Sequence, residues 1–491
     1  MKRGAILLLM QNRRRVLIYK YYRSEVVRMS QRLRYYSTNR HLDHVPGITP
    51  FKETVSFREA LLMGQAPDEG LFMPEQIPVL PVDKIKALKG APYAEAAMLV
   101  AEAFLAEELP AHSLRKIIDE AYDFPVPLEN VFARKYILRL DQGPTASFKD
   151  FAARMMARLM SAFRDTGKRL NVLVATSGDT GSAVGDAFRG VEGIDVTILY
   201  PRDEVSGRQK KQLDTIGLNV QAVSVDGKFD DCQNLVKQAF SDPTFADFNL
   251  TSANSINFGR ILPQIIYYIY TWAQLTRETE PAVFSVPSGN FGDALGCEYA
   301  RRMGLPVEKL IMPTNENDEF PRFLETGVYE KLSPSRACLS NAMNVGHPSN
   351  LARFFDLYGG TVDRTGFVHR APDIAEMKKH IYSVSISDRE TKKTIKKLHD
   401  QYKVLLEPHG AVGWRGLEVY LELFGDVPLC ISLETAHPAK FPEEIRELLG
   451  INPELPKSMK DIDERSGHPM FLPADYGELR TYLKGRLQIT D

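Results

Sequence analysis

Two stretches of this chain share one layout, and that layout restricts the fold more than any other feature. Asn171–Ala175 reads as a buried strand, runs into Ser177-Gly178-Asp179-Thr180-Gly181 and continues as a helix-compatible stretch. Ala282–Val286 runs in the same way into Ser288-Gly289-Asn290-Phe291-Gly292, with Asp293–Met303 as the helix that follows. A short continuous apolar run, a glycine-rich turn and then a helix is the pattern of a parallel βα unit, whose sheet is covered on both faces. The turns lie 111 residues apart, which predicts two α/β units rather than one long sheet. Further strands are expected at Val196–Tyr200, Leu310–Met312 and Leu429–Leu433, and Ser387 or Asp388 is placed to cap a helix towards Tyr402. The fold class is therefore α/β with largely parallel sheets. Pro-containing connectors such as Pro74–Pro81 and Phe124–Pro127 mark a different region before these units, an N-terminal helical elaboration.

Composition excludes several classes. A chain of 491 residues predicts two large domains or about three smaller ones. Its 62 Lys+Arg against 63 Asp+Glu argue against a general nucleic-acid binder. The four cysteines, Cys232, Cys297, Cys338 and Cys430, are scattered and form no CxxC pair, which disfavours a disulfide framework or a Cys-rich zinc site and favours a reducing compartment. No apolar run approaches the ~18 residues of a membrane span. The charge is uneven, however. Residues 1–40 hold 11 Lys+Arg and one acid, Glu25, so they carry +10 and the remainder −11. This reads as a basic leader without a fixed fold, or as an upstream extension with the true start at Met29. A targeting peptide, a nucleic-acid arm and a secretory signal are the competing readings.

The Ser288–Gly292 turn has the composition of an anion site. Glycines let the backbone approach a ligand, and the helix that follows presents unpaired N–H groups to a phosphate. Neither a Walker loop nor a GxGxxG fingerprint is present. The alternative is a plain tight turn. Ser177–Gly181 offers hydroxyls and N–H groups of the same kind, although Asp179 is an odd choice for an anion site unless its side chain caps the turn. Lys149 opens an amphipathic helix marked by Phe151, Met155, Leu159 and Phe163. A cation at a helix start is disfavoured by the macrodipole, and the same field with burial lowers a lysine pKa and makes the amine nucleophilic. The segment Leu433–Lys440 follows the last strand, at the strand end where α/β proteins bind ligands. A phosphate loop, an activated lysine and a strand-end hydroxyl together suggest pyridoxal 5'-phosphate. His409 and His437 read as hydrogen-bonding residues, and no metal site is expected.

Several segments resemble the threonine synthase family in that family's order. They are Tyr36-Ser37-Thr38, Val55–Leu62, Ala66–Phe72, Pro144–Asp150, Ala175–Gly181, Asn254–Asn257 with Arg260, Pro287–Asp293, Glu407–Gly413 and Thr435–Phe441. The resemblance implies a fold-type-II pyridoxal-phosphate enzyme of the tryptophan-synthase-β-like fold, with two α/β domains facing the cofactor. It implies that Lys149 carries the cofactor and moves protons, that Ser288, Gly289, Asn290, Phe291 and Gly292 hold the cofactor phosphate, and that Thr435 meets the ring nitrogen. Ser177, Thr180, Asn257 and Arg260 are the implied substrate contacts. The implied reaction turns O-phospho-L-homoserine and water into L-threonine and phosphate, in a monomer or homodimer that needs no nucleic acid or membrane. The expected location is cytoplasmic, or an organelle if residues 1–28 are a transit peptide.

The expected domains are 1–40 as the leader, 41–130 as the N-terminal domain, 131–255 as a small α/β domain with Lys149 at its start, and 256–491 as a large α/β domain. Three segments depart from the family pattern: Asn39-Arg40 after the Ser-Thr pair, Asp68-Glu69-Gly70, and His347–Arg353. A related phospholyase, which gives 2-oxobutyrate, ammonia and phosphate, uses the same cofactor loops. It is the alternative enzyme, and a non-catalytic binding homologue is the alternative from another class.

Overall fold

The computed structural model describes residues 32–487. Two separate sheets carry the α/β units. One has five parallel strands in the order Met470–Pro473, Val220–Asp226, Ile194–Pro201, Leu170–Ala175 and Leu250–Thr251. The other has six, in the order Ile381–Tyr382, Val307–Ile311, Ala282–Ser285, Cys430–Glu434, Lys135–Arg139 and Leu128–Phe132. Only its last pairing, between Leu128–Phe132 and Lys135–Arg139, is antiparallel. Every residue of Leu170–Ala175, Ala282–Ser285 and Cys430–Glu434 is buried, as central parallel strands covered by helices must be.

The expected strands and turns are present, with ends shifted by at most three residues. The Ser387 cap is present too, as a full capping box with Glu390 that starts the helix Asp388–Tyr402. The helix Leu262–Leu275, packed against Tyr93–Leu105, Lys149–Phe163 and Gly292–Arg302, is apolar nearly all round and buried through Ile265, Ile266, Tyr267, Tyr268 and Trp272. Such a helix belongs in the interior, because no face of it suits water. The N-terminal helices Tyr93–Leu105 and Ala111–Ala121 pack against the same core.

The expected domain boundaries are corrected in three places. The expected leader, residues 1–40, lies largely outside the described residues. Its last part is ordered, however: Tyr35–Ser37 pairs with Phe72–Pro74, and the buried Tyr35 ring packs edge-on against Phe57 and Phe258. Lys135–Arg139, expected in the small domain 131–255, lies in the six-stranded sheet. Cys430–Glu434 is buried on both faces and needs a neighbour on each side, and Lys135–Arg139 supplies one of them. Met470–Pro473, expected in the large domain 256–491, instead edges the five-stranded sheet. Its companion helix Tyr476–Leu487 buries Leu479 and Leu483 against the apolar face formed by Cys232 and Leu235.

Glu69 occupies the position where the family pattern has glycine, and its φ is +63°. A side chain there costs about 1 kcal/mol of backbone strain. The ion pair of Glu69 with Arg364 at 2.6 Å accompanies that conformation.

Candidate active site

The cleft lies where strand ends from both sheets point at each other. Ser177 follows Leu170–Ala175, Ser288 follows Ala282–Ser285, and Thr435 follows Cys430–Glu434. Lys149, Ser177, Thr180, Arg260, Ser288–Gly292 and Thr435 all line this one cleft. This is the carboxyl-end location that parallel sheets offer to ligands.

Lys149 is the first residue of the helix Lys149–Phe163, and its side chain is 13% exposed. The backbone fixes it relative to Thr435: the Phe148 N–H donates to the Thr435 carbonyl at 2.9 Å, and Ser147 bridges Ala436. Burial pushes the Lys149 ammonium below its ordinary pKa. The nearby Asp179 carboxylate opposes that shift, and the charges of Lys440 and Arg260 reinforce it. A neutral amine at neutral pH is what a nucleophilic lysine needs.

The Ser288–Gly292 turn leads into the helix Gly292–Arg302, whose N-cap, Phe291, is left-handed at φ +61° and provides no side-chain cap. The Ser288 hydroxyl donates to the Val286 carbonyl at 2.7 Å, and its N–H donates to the Pro313 carbonyl. Among the described residues, the amides of Gly289, Asn290, Phe291 and Gly292 find no protein acceptor. They form a row of donors at a helix N-terminus, suited to a phosphate. Gly289 has to be glycine, since a Cβ there would stand 2.8 Å from the Ala342 carbonyl oxygen. Asn290 is held from outside: its side-chain oxygen accepts from Ser349, and its carbonyl accepts from the Asn350 amide at 3.0 Å. The variant His347–Arg353 segment therefore buttresses the loop. Arg353, fully buried, donates to the carbonyls of Phe72, Ser255 and Ile256.

The residues present fit pyridoxal phosphate. Lysine, uncapped amides and a strand-end threonine share one cleft. Three buried polar atoms of cleft-lining residues, Arg260 Nε, Asn254 Oδ1 and Asp293 Oδ2, have no partner among the described residues. Arg260 also donates one terminal N–H to the Ala253 carbonyl at 2.9 Å, and burial lowers its pKa to about 10. It stays cationic at neutral pH.

Asn257 stands apart from the other expected contacts. Its amide donates to the carbonyls of Leu61 and Ser252, and its oxygen accepts the Gly259 N–H, so it is spent on the backbone outside the cleft. Asn254 lines the cleft instead, anchored by a 2.9 Å bond to the Ala175 carbonyl. His409 is the hydrogen-bonding residue expected from the sequence, and it also lines the cleft. Its Nδ1 lies 2.6 Å from Glu407 Oε2, while its Nε2 accepts the Ala342 N–H, which fixes the neutral tautomer with the proton on Nδ1. His409 thereby holds the turn that overlies Gly289. Among the described residues, no group of three or more His, Cys, Asp or Glu is arranged to hold a metal ion, and no helix is long and apolar enough to cross a membrane.

Comparison with known proteins gives the class first. A family model described as pyridoxal-phosphate dependent enzyme matches residues 126–428, and the chain belongs to that family. Within it the branch is specific. Models for the threonine synthase N terminus and the threonine synthase C-terminal region match residues 34–122 and 411–483. The chain is 40% identical to the threonine synthase of Haemophilus influenzae, over 88% of this chain and 97% of that protein. It is 39% identical to the Escherichia coli enzyme, over 87% of this chain and 96% of that protein. The solved structure of Escherichia coli threonine synthase superposes with a TM-score of 0.81 at 36% identity, covering 92% of this chain and all of that one. Pyridoxal-phosphate-bound threonine synthase from Brucella melitensis gives 0.83 at 33% identity, covering 93% of this chain and all of that one. The chain is a member of the threonine synthase family.

Proposed function

We propose that this protein converts O-phospho-L-homoserine and water into L-threonine and inorganic phosphate. The observation that carries the reading is the meeting, in one cleft, of the Lys149 amine, the free amides of Gly289–Gly292, the Thr435 hydroxyl and a separate set of substrate-facing groups. Pyridoxal phosphate, when bound, supplies the electron sink that stabilises negative charge at the substrate carbons. Lys149 holds it and moves protons at the substrate's α, β and γ carbons. The amides of Gly289–Gly292 bind its phosphate, and Thr435 meets the ring nitrogen without imposing a charge. Ser177 and Thr180 line the cleft with hydroxyls suited to the substrate carboxylate. The Arg260 guanidinium suits the substrate phosphate.

Loss of the γ-phosphate is followed by addition of water at Cβ, so the site has to position a water while it shields the bound substrate from premature release. Four unpaired cysteines, three of them buried, support a reducing, cytoplasmic setting.

Product analysis tests the reading. Supplied with O-phospho-L-homoserine, the loaded enzyme is expected to release threonine and phosphate in equal amounts. Ammonia and 2-oxobutyrate in excess over threonine would move the assignment to a phospholyase, and no turnover of a loaded protein would make it a binding homologue.

A further inference from the structure

Lys440 is fully buried, an expensive place for an ammonium without a partner. It lies in the short turn Pro438–Lys440 that follows Thr435. Its Nζ sits 2.6 Å from Asp179 Oδ1 and donates to the Thr145 carbonyl at 2.9 Å. The Gln209 amide also donates to Asp179 Oδ1, at 2.8 Å. The other carboxylate oxygen, Oδ2, stands 3.8 Å from the Lys149 nitrogen. Thr145 in turn binds both oxygens of Asp150, the neighbour of Lys149, through its N–H and its hydroxyl. One ammonium thus joins three cleft-facing segments: the one before Lys149, the Ser177–Gly181 turn and the one after Thr435.

We propose that Lys440 is a positioning residue that holds Asp179 by one oxygen, so that this carboxylate aligns the nitrogen of Lys149 without capturing it in a full ion pair. The proposal rests on Lys149 as the residue that carries the cofactor. An unrestrained aspartate beside Lys149 would close on it and favour its protonated form. Lys440 opposes that in two ways, by occupying the carboxylate and by adding a like charge nearby. The other charged groups that act on Lys149 come from separate elements. They are Arg260 in the turn Phe258–Arg260, Glu407 at the start of the helix Pro408–Phe424, and Asp293 in the first turn of Gly292–Arg302. Of these carboxylates, Asp293 is bonded to the hydroxyls of Tyr267 and Tyr268, and Glu407 to His409 and Gly410. Asp179 is the one within ion-pair distance of the Lys149 nitrogen. The arrangement also explains an acid in a turn otherwise built for anions: Asp179 serves the two lysines.

The test is a pH titration of the visible absorbance of the cofactor-loaded protein. Lys440→Met is expected to raise its apparent pKa by about one unit or more, because Asp179 is released towards Lys149. Lys440→Gln keeps a donor for Thr145 while removing the charge. It should shift in the same direction, and it carries the test if the methionine variant does not fold. Asp179→Asn should shift the titration the opposite way. The double variant Asp179→Asn, Lys440→Gln should titrate above Asp179→Asn alone, but by less than Lys440→Gln lies above the parent, because only the direct charge of Lys440 is then lost. Damage to packing would admit water and move all the variants in one direction, so shifts of one sign overturn the proposal. So does a Lys440 variant that titrates as the parent does. Visible absorbance retained in Lys149→Ala would instead overturn the placement of the cofactor itself.

Discussion

The turns Ser177–Gly181 and Ser288–Gly292 have the same topology and opposite electrical character. Each follows a buried parallel strand and starts a helix. In the first, the Thr176 hydroxyl accepts the N–H groups of Gly178 and Gly181, and the helix opens on Asp179, a charged side chain aimed at two lysines. In the second, no side chain caps the helix, and its amides remain free. A βα turn is thus a neutral frame. Whether it attracts an anion or orients a cation depends on whether its first amides are already satisfied and on which side chain stands at the first helical position. The Ser177 turn belongs to the five-stranded sheet and the Ser288 turn to the six-stranded one, so the cleft has two differently charged walls.

Removal of what both walls serve should have the largest effect. Lys149→Ala is expected to abolish covalent retention of the cofactor and to lower turnover roughly 10³–10⁴-fold. Mass spectrometry of the borohydride-treated protein checks the first and phosphate release the second. A modified lysine elsewhere would break the assignment.

Matched glycine substitutions separate the walls. Gly289→Ala drives a Cβ against the Ala342 carbonyl and should weaken cofactor affinity roughly ten- to hundredfold, as overpacking by 1–3 kcal/mol does. Gly178→Ala, at φ +128° and 2.7 Å from the Gln209 amide, should raise KM while cofactor affinity stays near that of the parent. Equal cofactor loss in both variants, measured by equilibrium titration, would mean the walls are not specialised.

Asn257→Ala lies outside both walls. It should lower stability by about 1–3 kcal/mol in urea unfolding, since it strands buried backbone groups, and leave KM nearly unchanged.

The smallest effect is in pH dependence. Burial raises the Asp293 carboxyl to about 6, while Lys440 and Lys149 hold Asp179 well below the ordinary carboxylate range. A carboxyl raised on folding costs stability as pH climbs from its unfolded value to its folded one, here from about 4 to about 6. A depressed one contributes throughout that window. Asp293→Asn should therefore flatten the fall in unfolding midpoint between pH 4 and pH 6, by on the order of 1–2 kcal/mol. An unchanged slope would show that Asp293 does not titrate there.

The turns themselves were legible in the sequence because glycine-rich segments after short apolar runs are local signals. That Lys149, Thr435 and the Ser288–Gly292 turn belong together was legible for the same reason, strengthened by their order along the chain, and they do line one cleft. What escaped depends on distant partners. Nothing near Asp179 predicts Lys440, and nothing in Met470–Pro473 predicts a place beside Val220–Asp226. Asn254 and Asn257 sit in one short polar run with no periodicity, so the sequence offers no reason to prefer the residue that faces the cleft. Lys135–Arg139, with charge at both ends, gives little sign of a strand inside a sheet.

The late pairing of Met470–Pro473 with Val220–Asp226 also sets a timetable for making the protein. The five-stranded sheet gains its outer strand only after Met470–Pro473 has left the ribosome, well behind Val220–Asp226. Until then Val220–Asp226 presents an open row of backbone donors and acceptors beside largely apolar side chains, the kind of edge through which chains join end to end. A chain lacking Met470–Pro473 keeps every residue of the cleft and yet leaves this edge open, so that segment acts as a seal on the sheet.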